Sequence, residues 1–95
     1  MAALLAALIL GGCAGAPVQE MSNARQAVAA AEQSGASHTA PKEMAQAKSL
    51  LQAAQAALDR GDFGTAMEDA LRARQLAVKA LRISQGQESA NLSPP

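Results

Sequence analysis

Aromatic side chains are almost missing from this sequence. It has one Phe, no Trp and no Tyr in 95 residues, with a single Cys and a single His. Charge of one sign is missing too, since eight basic residues are cancelled by eight acidic ones. A neutral chain with one ring has neither the positive field nor the stacking platforms that nucleic acids need, so no nucleic-acid partner is expected. One Cys cannot close an internal disulfide, and one Cys with one His cannot complete a zinc site. The glycines are scattered rather than gathered into a phosphate-cradling loop. β-branched residues are few and nothing alternates with period two, which argues against strands. No metal, cofactor or small-molecule substrate is expected, and the length leaves room for one small domain.

What is abundant is alanine, at 25 of the 95 residues, together with Leu, Gln, Lys, Arg and Glu. These are strong helix formers, and an all-α fold follows. Punctuation divides the chain into three helices. The first runs over about 18–34, opened by Pro17 and stopped by Gly35, with Met21, Ala24, Val28 and Ala31 on one face. The second runs over about 41–60, opened by Pro41 and stopped by Gly61, with Met44, Ala47, Leu51, Ala54 and Leu58 in line. The third runs over about 63–84, capped by Asp62. Its seam is Ala66, Ala70, Ala73, Ala77 and Ala80, with Met67, Leu71, Val78 and Leu81 beside it. Gly86 is expected to end this pattern, leaving 85–95 as a disordered tail. Short connections make successive helices antiparallel neighbours, so the expected architecture is a small antiparallel three-helix bundle over 18–84. Its alanine seams allow close backbones and leave a thin core.

The opening residues, MAALLAALIL, are apolar and uncharged. Ten such residues are too few to cross a bilayer, which takes about 20, and suit a signal peptide. Leu10, Gly11, Gly12 and Cys13 follow, and this ending resembles the lipobox of bacterial lipoproteins. The resemblance implies that residues 1–12 are cut off and that Cys13 is acylated. Two or more acyl chains hold a protein on a membrane, each buried methylene contributing about 0.8 kcal/mol. Nothing charged precedes Glu20, so a start codon further upstream is expected. Ala14 after the Cys implies sorting to the periplasmic face of the outer membrane, on the same resemblance. Residues 13–17 would form a short tether.

Candidate chemistry is sparse. His38 lies in the polar stretch Ser37-His38-Thr39, with no carboxylate nearer in sequence than Glu32 and Glu43, and reads as an exposed loop residue. Glu68 and Asp69 open the third helix, while Arg72, Arg74, Lys79 and Arg82 follow. Dipole complementarity and a Glu68–Arg72 pair account for that order. The alternative is weak contact of Arg72, Lys79 and Arg82 with lipid phosphate or anionic glycan. Met21, Met44 and Met67, near the three helix starts, read as core fillers.

The run Arg60-Gly61-Asp62-Phe63-Gly64-Thr65-Ala66 resembles the hinge of tetratricopeptide-type hairpins. That resemblance implies that Gly61 stops one helix, Asp62 caps the next and Phe63 folds back over the corner. A single hairpin is too little for a solenoid. The order Gly35-Ala36, Ala40-Pro41-Lys42-Glu43 and Arg60-Gly61-Asp62-Phe63 behind a lipobox resembles the small alanine-rich bacterial lipoproteins of the domain-of-unknown-function type. Thr39 departs from the aromatic expected before Ala-Pro. The resemblance implies a lipid-anchored helical domain at the bacterial cell envelope, in a family with no assigned activity. The near-absence of paired titratable groups makes a non-enzymatic interaction or structural module the expected role, meeting an envelope protein or itself. The alternative is a self-assembling envelope spacer.

Overall fold

The computed structural model describes residues 16–92, and every regular element in it is helical. The lipobox motif Leu10–Cys13, the signal peptide before it and the last residues, 93–95, lie outside the described residues. The elements are α1 (Val18–Gln33), α2 (Ala36–Thr39), α3 (Pro41–Asp59) and α4 (Phe63–Leu92). The sequence reading had three helices, and α2 is the one it lacked.

Helix α1 begins directly after Pro17, with Glu20 in its first turn. The fixed φ of proline and an acid near the helix N-terminus both favour a start here. The face read from the spacing is the buried one: Met21, Ala24, Val28 and Ala31. At the far end Ser34 Oγ donates to the Ala31 carbonyl at 2.8 Å. Gly35 then adopts φ 83°, the left-handed region that glycine enters without steric cost.

The stretch 36–39 is helical rather than an open loop. The Gly35 carbonyl accepts from the backbone N–H groups of His38 and Thr39, at 3.0 and 3.3 Å. Ala36 and Ala40 are buried, so this single turn is held by packing as well as by those bonds.

Helix α3 has Pro41 at its first position and Glu43 in its first turn. Its end is a complete Schellman motif. The Asp62 N–H donates to the Ala57 carbonyl at 2.8 Å and the Gly61 N–H to the Leu58 carbonyl at 3.0 Å, with Gly61 at φ 79°. Two carbonyls that the helix leaves without partners are thereby satisfied.

Helix α4 starts with the Thr65 N–H donating to Asp62 Oδ1 at 3.3 Å. It has 30 residues, a length of about 45 Å at the usual rise. The expected stop at Gly86 and tail from residue 85 are therefore corrected, since α4 continues to Leu92. Among the described residues positive φ is confined to Gly35 and Gly61. A glycine inside a helix costs about 1 kcal/mol against alanine, which weakens the helix without turning it.

Two core clusters record how the helices lie. One joins Met21 and Ala24 of α1 to Ala54 of α3 and to Ala70 and Ala73 of α4. The other joins Val28 and Ala31 to Met44 and Ala47 and to Ala77 and Ala80, with Ala36 and Ala40 between. Leu51 packs against both clusters. Low numbers on α1 thus meet high numbers on α3 and low numbers on α4. Arg25 bonded to Gln55, and Glu32 paired with Lys48, repeat the opposed sense of α1 and α3. Among the described residues, the buried core consists of Met21, Val28, Met44 and alanines.

Candidate functional site

The seam residues Ala66, Ala70, Ala73, Ala77 and Ala80 of α4 are all completely buried. Ser84 extends the same spacing by one more step of four. It is the only buried polar residue among those described, and its Oγ donates to the Ser34 carbonyl at 2.6 Å. Sequence reasoning missed this residue. The signal was its register four places after Ala80, where a small polar side chain continues an alanine row.

The large apolar residues of α4 behave differently. Phe63 is 43% exposed, Met67 40% and Leu71 42%. Met67 is therefore no core filler, unlike Met21 and Met44, which are buried. Phe63 stands at the corner itself, as the first residue of α4. The physical reason lies in the alanines. They let the backbones come close, and the neighbouring positions then project past the partner helices instead of between them.

The hinge residues Gly61, Asp62 and Phe63 stand together at the α3–α4 turn, all exposed. Gly61 and Asp62 carry the backbone and capping bonds described above, which makes the hinge a local structural device. His38 is exposed on α2 rather than in a loop.

The basic residues of α4 divide between two surfaces. Arg72 and Lys79 line an open groove against Gln46, Ser49 and Leu50 of α3, with a volume of about 550 Å³. Lys79 also borders a smaller depression of about 410 Å³ with Leu71, Arg74, Val78 and Arg82. Arg72, Lys79 and Arg82 are exposed, and Lys79 lines both hollows. The anticipated Glu68–Arg72 pair does not form. Among the described residues the ion pair is Lys48–Glu32, between α3 and α1. Exposed pairs gain little over hydration, so neighbouring positions on a helix do not guarantee contact.

Among the described residues no group of three or more His, Cys, Asp or Glu could hold a metal ion. No described helix is long and apolar enough to cross a membrane.

A family model, the domain of unknown function DUF4398, matches residues 19–91. The chain belongs to this family. No curated protein and no solved structure matches it. The matched segment takes in all four helices and continues past Ser84, so the family's unit includes the long end of α4. The Leu10–Cys13 motif precedes that unit.

Proposed function

We propose that the chain is an acylated bacterial lipoprotein. In this reading residues 1–12 are removed, lipid is attached at Cys13, and the DUF4398 helices face the periplasm at the outer membrane. The three long helices act there as an antiparallel bundle, a non-enzymatic interaction or structural module. The observation that carries the reading is Leu10-Gly11-Gly12-Cys13 directly after the apolar run MAALLAALIL. Family membership supports the helical part, because the matched segment begins six residues after Cys13. Arg72, Lys79 and Arg82 would add weak contacts to lipid phosphate or anionic glycan.

The test is metabolic labelling of cells with radioactive palmitate. The wild-type chain should carry label and sediment with membranes. Cys13→Ala should lose the label and move to the soluble fraction. Label retained by Cys13→Ala would overturn the reading. The exposed apolar flank of α4 favours a second possibility, a spacer built from copies of the chain. Crosslinking in cells separates the two, since a spacer yields ladders of this chain alone.

A further inference from the structure

Among the described residues the exposed large apolar side chains lie towards one end of the molecule. Val18 is 69% exposed, and Phe63, Met67 and Leu71 are each exposed by about two fifths. Their common level follows from the packing. Met21 shares a cluster with Ala70 and Ala73, while Val28 and Ala31 share one with Ala77 and Ala80. Ser34 meets Ser84 at the other end. Helices α1 and α4 thus run side by side in the same direction. Val18, one turn before Met21, stands level with Met67, one turn before Ala70.

The segment leading back to Cys13 leaves from this same end, at Val18. Five residue steps separate Cys13 from Val18, a reach of at most about 17 Å. If Cys13 is held in a bilayer, the apolar end is within that distance of the lipid. Clusters of exposed apolar side chains mark contact surfaces, and aromatic and aliphatic groups enter the headgroup boundary readily.

We propose that Val18, Phe63, Met67 and Leu71 rest on the lipid surface, so that this part of the bundle lies against the bilayer rather than hanging free on its tether. The proposal rests on the acylation reading, which supplies the anchor. The charges at this end decide which lipid it fits. Glu20, Asp59, Asp62, Glu68 and Asp69 still outnumber Arg60, Arg72 and Arg74 there. Burial of apolar surface is therefore the attraction, and the partner is a neutral, zwitterionic headgroup layer rather than an anionic one. Lys79 and Arg82 lie further along α4, on the far side of the depression that Leu71 borders.

The chain has no Trp or Tyr, so one introduced Trp is an unambiguous fluorescent reporter. The full chain carrying Met67→Trp or His38→Trp is made in cells and isolated from membranes. Its mass reports whether Cys13 is acylated. It is then reconstituted into phosphatidylcholine vesicles with brominated acyl chains, which quench fluorescence at short range. The Met67→Trp emission should fall about threefold, as for a side chain in the headgroup boundary, while His38→Trp at the opposite end stays bright. Adding Phe63→Gln and Leu71→Gln to Met67→Trp should restore most of the emission, and anionic lipid should not deepen the quenching. Equal emission from the two reporters in the acylated protein overturns the docking and leaves the anchor standing. Quenching of Met67→Trp alone in a protein without acyl groups supports the docking and overturns the anchor. No quenching without acylation overturns both.

Discussion

The two sides of α4 invert the usual relation between size and burial. Its inner side is a row of alanines closed by Ser84, all buried, while its outer side carries Phe63, Met67 and Leu71, each substantially exposed. Large apolar residues normally dominate a core because they remove the most surface from water. Here the small ones are inside because three helix backbones share the seam, and a larger side chain would push them apart. Close approach, rather than side-chain area, organises this fold. The greasier groups are left at the margin, available to something outside the domain.

The contrast can be broken most severely from the inside. Ala73→Leu adds three carbons where Met21, Ala24 and Ala54 converge, and overpacking of this kind should cost about 3 kcal/mol. Thermal unfolding followed by circular dichroism measures it. A cost near zero would mean that the seam is loose and that close approach is not what holds the helices. A smaller effect should come from the polar end of the row. Ser84→Ala keeps the size but leaves the Ser34 carbonyl without its donor, a loss of about 1 kcal/mol in denaturant unfolding. The smallest effect should come from the outer side. Leu71→Gln touches no core cluster and should leave stability within about 0.5 kcal/mol, read on the same melts. A large loss there would show that the outer residues belong to the core after all.

Much of the fold is legible in particular residues. Pro17 and Pro41 open helices, and Gly35 and Gly61 turn the chain at positive φ. The spacing of Met21, Ala24, Val28 and Ala31, and of the α4 alanines, names the buried faces. Other features were not legible. The single turn α2 exists because Ala36 and Ala40 are packed from above, and four residues alone hold no helix. Gly86 looks like Gly35 and Gly61 in the sequence, yet it stays helical. A glycine permits a left-handed turn, and only the bonds and packing that follow it require one. The candidate surface divides in the same way. Phe63, Met67 and Leu71 stand out in the sequence as large apolar residues, but their exposure depends on how near α1 and α3 lie.

The sequence by itself determined an all-helical chain, the alanine seam and the two turns, because these follow from backbone propensity and from the angular period of a helix. The tertiary structure decided which neighbours meet that seam, how far α4 extends and which apolar side chains face outward. A helical period assigns each residue an angle about its own axis. It contains no information on the distance to the next helix, and burial is set by that distance.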